Sequence, residues 1–300
     1  MTEFTEVPSP FCGIGTDDLT IAVEGLSLKV TDNGCAVNTP AFEQQVIDTS
    51  PRVVGREVSL EQAVAKAAEL LHNAKLPVIG GCATDVNGMR SLLALADRAG
   101  AVVENMNFAA SRRNILTLQD SGWMNTTLAE VKNRCDLLVV IGADVEKIVP
   151  RFFQRYIWNQ DAMFVEDVSK REIIYVGEAP SGDASTAPDG SKAEVLACSN
   201  DALPEVVAVM RALFKGQPIE RDDIAGIPLE QLQALVDKLK AARYSVVIWA
   251  AGELDFPQAD LTVQTLCELI KDLNVETRCS GLPLGGREGD LTATQVCGWT

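Results

Sequence analysis

Short apolar runs alternate with longer amphipathic stretches along most of this 300-residue chain. The stretch from Leu76 to Gly142 is the one the rest is arranged around. It holds LPVIGG (76–81), a helical period, AVVE (101–104), an Arg-bearing turn with a second helix, and DLLVVIGAD (136–144). Apolar runs of roughly four to six residues, separated by amphipathic segments of roughly 10–15, mark strand–helix–strand units of a parallel sheet. Runs without alternation predict strands buried on both faces. The same pattern returns over 244–281, where YSVVIWAAG, a helix across Leu261–Leu273 and VETRCSG follow one another. The two blocks are either halves of one layered sheet or two related domains. The predicted fold class is α/β, built of Rossmann-like parallel-sheet units.

Other elements follow from periodicity and punctuation. Residues 18–30 alternate apolar and polar around Glu24-Gly25, which predicts a β-hairpin. Ser59 with Gln62 forms a capping box for a helix whose apolar face is Leu60, Ala63, Val64, Ala67, Leu70 and Leu71. A second helix starts near Asn87 with Met89, Leu92, Leu93 and Ala96 inward and Gly100 as C-cap. Thr127 caps a short helix, and 148–158 reads as helical. MFVEDV (163–168), IIYVG (173–177) and AEVLAC (193–198) read as strands, 178–193 as a Pro/Gly/Ser-rich surface loop, and 203–215 and 229–242 as helices. The expected division is a small N-terminal β region (1–58), a first α/β unit (59–180) and a second (181–300).

Charge narrows the partners. With 42 acids against 26 bases the net charge is −16, which argues against nucleic acid or an anionic membrane surface and for a partner protein carrying the complementary charge. The N-terminus MTEFTEVPSP is acidic and polar, not a secretory signal, and no window approaches the roughly 20 apolar residues of a membrane span. Eight scattered cysteines, several inside apolar segments, read as reduced thiols of a cytoplasmic protein.

The single histidine, His72, falls in the last turn of a helix, where a cation caps the helix end. One histidine excludes a His-rich zinc site and leaves acid–base work to carboxylates, Lys or Tyr. The glycine pairs and singles after the strands match neither GxGxxG nor GxxxxGK[ST], so they read as turn glycines. No catalytic set and no metal site is predicted. Arg112 and Arg113, at the expected C-terminal mouth of the sheet, and Arg287, in the last glycine loop, are candidate contacts for an anion or an acidic segment. The rival reading is ordinary surface arginines.

PVIGG, AVVEN, LTLQDSGWMNTTLAEVKNRCDLLVVIGAD, PRFFQRY and the closing SGLPLGG…GDLTATQVCGWT together resemble the B subunit of formylmethanofuran dehydrogenase. The resemblance implies a fold like the molybdopterin oxidoreductases. In the dehydrogenase form it also implies a molybdopterin or tungstopterin, a [4Fe–4S] cluster and carbon dioxide reduction. The positions of that chemistry depart here. The resemblance sets Ser9, Cys12 and Thr16 at three of the cluster cysteines, with Cys35 as the fourth, leaving two thiols of four. Where it places a metal-binding Cys followed by His, the chain reads Asn107-Phe-Ala-Ala-Ser-Arg-Arg113, so Ala110 and Ser111 are degenerate positions.

A cofactor-less branch of the family, the B subunit of the formyltransferase/hydrolase complex of methylotrophic bacteria, has this state. It implies no cofactor on this chain, and a complex that uses methylofuran, tetrahydromethanopterin and a metal in its hydrolase component. The implied partners are an amidohydrolase-like hydrolase, a formyltransferase and a further small subunit. Two alternatives stand beside this scaffold reading: a working pterin oxidoreductase with unfamiliar ligands, and a module binding an anionic carrier tail.

Overall fold

The computed structural model describes residues 2–45, 48–285 and 289–299. It divides the chain into two compact units, 1–108 with 286–300, and 109–285.

In the first unit β1 (Thr2–Val7), β2 (Leu19–Glu24) and β3 (Ser27–Asp32) form an antiparallel sheet, with Gly25 at φ +63° in the β2–β3 turn. The predicted hairpin is therefore present, and β1, an exposed TEFTEV segment, adds an edge that its polar sequence does not announce. Helix α1 (Asn38–Glu43) packs beside β3, and β4 (Arg52–Val53) with β5 (Arg56–Glu57) makes a short hairpin. Helix α2 (Leu60–Asn73) starts on the predicted capping box: Gln62 N donates to the Ser59 hydroxyl, and Ser59 N to the Gln62 side chain. Its apolar face is uncovered, since α2 buries no residue and Leu60, Val64 and Leu70 are exposed.

Strand β6 (Val78–Ile79), helix α3 (Val86–Ala99) and β7 (Val102–Val103) then form one parallel unit. Gly100 ends α3 in the left-handed conformation, as its position predicts. Met89 and Ala96 of α3 are buried as expected, and Met89 joins a small core with Cys82, Ala293 and Val296 of the same unit. The expectation of strands buried on both faces fails here. Val78 is 63% and Val102 48% exposed, because among the described residues β6 and β7 pair only with each other.

The second unit holds the main sheet. After α4 (Phe108–Asp120) and α5 (Leu128–Arg134) come β8 (Leu137–Ile141), β9 (Glu172–Gly177) and β10 (Glu194–Ala197). The β8–β9 crossover carries α6 (Val145–Ile148), a π-helix at Phe153–Ile157 and a 3₁₀ turn at Val168–Lys170, where one continuous helix and a strand at 163–168 are expected. Met163 and Phe164 donate their amides to Asn133 instead of a strand neighbour, and both side chains are exposed. Helix α7 (Leu203–Phe214), the short hairpin β11 (Asp223–Ile224) and β12 (Ile227–Pro228), α8 (Leu229–Ala241), β13 (Ser245–Ala250), α9 (Ala259–Leu273) and β14 (Cys279–Leu284) complete this unit. The last strand begins four residues later than VETRCSG predicts and includes Pro283, which an edge strand tolerates because one side needs no donor. Helix α10 (Asp290–Trp299) returns to α3 of the first unit.

The sheet order is β10-β9-β8-β13-β14, parallel throughout. Every residue of β8 and β13 is buried. Leu137, Val139, Ile141, Val247 and Trp249 share one core with α7, α8 and α9, while the equally buried Leu138, Val140, Val246 and Ile248 take the alternate face. A single sheet thus draws strands from either side of residue 180, so the boundaries expected at 58 and 180 fall elsewhere.

Candidate functional site

Two places carry the residues singled out by sequence. In the N-terminal loop Ser9 N donates to Thr16 O (2.8 Å), Thr16 N to Cys12 Sγ (3.4 Å) and Asn38 N to Cys35 Sγ (3.3 Å). The Ser9 hydroxyl donates to Asn38 Oδ1 at 2.6 Å and so ties the Cys12 loop to the Cys35 loop. Thr16 and Asn38 are buried, and Thr16 Oγ1 and Asn38 Nδ2 have no hydrogen-bond partner. The structure thus gathers all four positions into one nest. Asn38, which closes it, carried no signal in the sequence.

A [4Fe–4S] cluster needs four thiolates. This nest offers Cys12 and Cys35, both free and half-buried, with hydroxyls at Ser9 and Thr16. The donor set does not fit the cluster. Among the described residues no group of three or more His, Cys, Asp or Glu is placed to hold a metal ion.

The second place is the C-terminal mouth of the main sheet. Strands β8, β9 and β10 are added in one direction and β13 and β14 in the other, so the order of strand addition reverses between β8 and β13, the position where open α/β sheets bind ligands. Gly142 follows β8 at φ +58°, and a Cβ there would meet Leu203 Cδ1 at 2.3 Å and Leu254 Cδ2 at 3.0 Å. Asn200 donates to Glu253 O at 3.2 Å across the same mouth.

Helix α4 occupies the β13 side. Ala110 packs on the core and lies 3.8 Å from where a Cβ on Gly252 would stand. Arg113 donates from Nη1 to Ala251 O at 2.5 Å and from Nη2 to Asp255 at 3.1 Å. Trp249 Nε1 donates to Asn114 Oδ1 at 3.0 Å, and the Thr117 hydroxyl to Asp260 O at 3.2 Å. Helix α4 of this same unit therefore packs over the β13 side of the mouth where a ligand crevice is expected.

Arg113 is tied down in this seam, Arg112 is exposed on the outer face of α4, and Arg287 lies outside the described residues. Ser111 is half-buried beside Ala110, with neither thiol nor imidazole to offer. His72 is exposed at the end of α2. The buried thiols of the second unit are chemically quiet, since desolvation pushes Cys135, Cys267 and Cys279 up to about 12. Asn114 and Trp249, which hold α4 over the mouth, are sequence-distant partners that no local motif joins.

No protein-family model matches the chain. It is 28% identical over 303 residues to the B subunit of the tungsten-containing formylmethanofuran dehydrogenase 2 of Methanocaldococcus jannaschii, covering 98% of this chain and 69% of that protein. It is 26% identical over 251 residues to the B subunit of the formyltransferase/hydrolase complex Fhc of Methylorubrum extorquens, covering 83% of this chain and 63% of that protein. A chain in the crystal structure of the formyltransferase/hydrolase complex FhcABCD of Methylorubrum extorquens with methylofuran superposes with a TM-score of 0.69 at 23% identity. That superposition spans 83% of this chain and 64% of the other. The mixed α/β fold with its five-stranded parallel sheet is the fold of that structure, and the homologues of this chain are the B subunits of formylmethanofuran dehydrogenase and of the formyltransferase/hydrolase complex.

Proposed function

We propose that this chain is a non-catalytic structural B subunit of a formyltransferase/hydrolase-type complex, in which other subunits transfer and hydrolyse the formyl group. The observation that carries the reading is the packing of α4 over the mouth of the main sheet. Ala110, Arg113 and Asn114 sit where a ligand crevice is expected, bonded to Ala251, Asp255 and Trp249 or packed beside them. The nest of Ser9, Cys12, Thr16 and Cys35 supports it, because two thiols of four do not make a cluster site.

In this reading the fold derives from a molybdopterin-oxidoreductase-like ancestor, and the subunit carries no cofactor of its own. It docks the amidohydrolase-like hydrolase in a cytoplasmic assembly with a formyltransferase and a further small subunit. Methylofuran and tetrahydromethanopterin are the carriers of the complex, and hydrolysis uses the hydrolase's metal. No helix among the described residues is long and apolar enough to cross a membrane.

The rival reading is a working tungsten dehydrogenase subunit. Overall identity alone does not separate the two, at 28% against 26%, so the reading rests on the residues at the site. The test is metal and pterin content of the protein purified with its partners and then alone. The expected result is no iron, molybdenum, tungsten or pterin on this chain while the intact complex releases formate. Stoichiometric tungsten or molybdenum with pterin on this subunit overturns the proposal.

A further inference from the structure

Helix α2 presents an apolar face that nothing among the described residues buries. None of its 14 residues is buried, and Leu60 (69%), Val64 (59%) and Leu70 (60%) stand well into solvent. Ala67 and Ala68 are exposed beside them, while Ala63 and Leu71 are half-buried. A helix of this length is marginal in water on propensity and caps alone. Its stability comes from packing its apolar face on something.

The face has an internal order. Leu60, Val64, Ala67 and Leu71 follow one another at spacings of four, three and four, which lines them up as one stripe. Leucine stands at each end of the stripe, with Val64 and Ala67 between. Laid antiparallel on an identical helix, Leu60 meets Leu71 of the other copy and Val64 meets Ala67, so each layer repeats under a two-fold axis. Ala63 and Ala68 flank the stripe with small side chains, which lets two helices approach closely.

The charges repeat under the same axis. Glu61 lies in the first turn and His72 in the last, about three turns apart and so on one flank of the stripe. Antiparallel pairing brings each Glu61 to the His72 end of the other copy, and it sets the two helix dipoles head to tail. Lys66 and Glu69 are paired with each other at 2.8 Å within the helix. Over residues 56–75 three acids (Glu57, Glu61, Glu69) stand against three bases (Arg56, Lys66, Lys75). This stretch is therefore neutral, His72 aside, in a chain of −16, so two copies meet here without the repulsion that the acidic surface imposes elsewhere.

We propose that α2 is a self-association surface. It pairs with α2 of a second copy of this chain in an antiparallel, two-fold arrangement that sets Leu60 on Leu71, Val64 on Ala67 and Glu61 beside His72. One stripe on a helix about 21 Å long buries less than the roughly 1,200 Å² of a standard interface, so the pairing is weak. A dissociation constant of about 10–100 µM is expected, and at the low concentrations of an unfolding experiment the chain is monomeric. The inference does not rest on the role proposed for the subunit.

The test is sedimentation velocity of the full chain, from about tenfold below to about tenfold above that constant. The weight-average mass should rise from one copy toward two. Ala67→Glu places an acid at the centre of the stripe on an exposed position, with a residue that favours helix, and should weaken pairing by about tenfold or more. Glu61→Lys should weaken it by about 3–10-fold, and Glu61→Lys combined with His72→Glu should recover most of that loss. Helix content by circular dichroism checks that each variant keeps α2. A single copy at every concentration overturns the proposal, and so does association that Ala67→Glu leaves unchanged. Failure of the charge swap to recover pairing overturns the antiparallel register. A chain that stays monomeric alone, and loses a copurifying subunit on Ala67→Glu, assigns the face to that subunit and overturns the pairing of copies.

Discussion

The β6–α3–β7 segment and the β8–β13 pair carry the same sequence pattern and meet opposite fates. Both read as apolar strands joined by amphipathic helices. In the second unit each residue of β8 and β13 is buried, flanked by further parallel strands and by the core of α7, α8 and α9. In the first unit β6 and β7 are two residues each, Val78 and Val102 stand exposed, and the adjacent α2 buries nothing despite its apolar face. An apolar pattern specifies which face seeks cover. It does not say whether the cover is supplied. A lone parallel pair gives each strand a single neighbour, and a capped amphipathic helix without a packing surface is marginal in water.

The sharpest way to break this comparison is to truncate one side chain in each region. Trp249 is fully buried, bonded to Asn114 and pressed over Gly281, where a Cβ would meet its ring at 2.8 Å. Trp249→Ala should cost about 3–5 kcal/mol in urea unfolding of the isolated chain. Leu70→Ala, on the open face of α2, should cost less than about 0.5 kcal/mol in the same measurement. Comparable losses would mean that α2 is covered in solution by something the isolated fold does not show.

A smaller effect separates a seam residue from a surface one. Arg113→Ala removes charge-assisted bonds to Ala251 O and Asp255 and should cost roughly 1.5–3 kcal/mol, whereas Arg112→Ala should fall within about 0.5 kcal/mol. If both arginines proved neutral for stability while carrier or anion binding was lost, the account of α4 packed over the mouth would fail and the anion-contact reading would return.

A last contrast distinguishes the thiols. Desolvation holds Cys135, Cys267 and Cys279 at about 12 in the fold, against an ordinary value of 9.0. In the native protein they should resist alkylation while the exposed Cys297 reacts first, read by mass spectrometry of the modified peptides. A raised acid pKa means the unfolded chain loses these protons first. The contribution is therefore complete below about pH 9 and is lost as pH climbs toward 12. Urea midpoints should fall as pH rises above about 9, and a flat profile would contradict the burial of these groups.

Much of the regular structure in both units was legible in sequence because its signals are local. Continuous runs such as LLVVI and SVVIW can lie only in a doubly covered sheet, and the caps at Ser59, Gly100 and Thr127 bond within their own turns. Errors arose where a distant neighbour decides. MFVEDV has strand composition, but Asn133 takes its amides. β1 is polar and forms because β2 offers an edge. The candidate site divides in the same way. That Ser9, Thr16, Ala110 and Ser111 offer neither thiol nor imidazole is read directly from residue identity. That Asn38 closes the loop nest, that Asn114 and Arg113 hold α4 over β13, and that Arg171 is buried without a counter-ion cannot be read locally.

The sequence by itself determined the α/β class and the helix ends. These depend on side-chain chemistry and on hydrogen bonds closed within a few residues. Only the tertiary structure decided which apolar faces are covered, which arginine is a pin and which is free surface, and where a buried charge lacks its partner. Those outcomes turn on contacts between residues about 30 to 140 positions apart, whose free energy exists only once the chain has closed the loops between them.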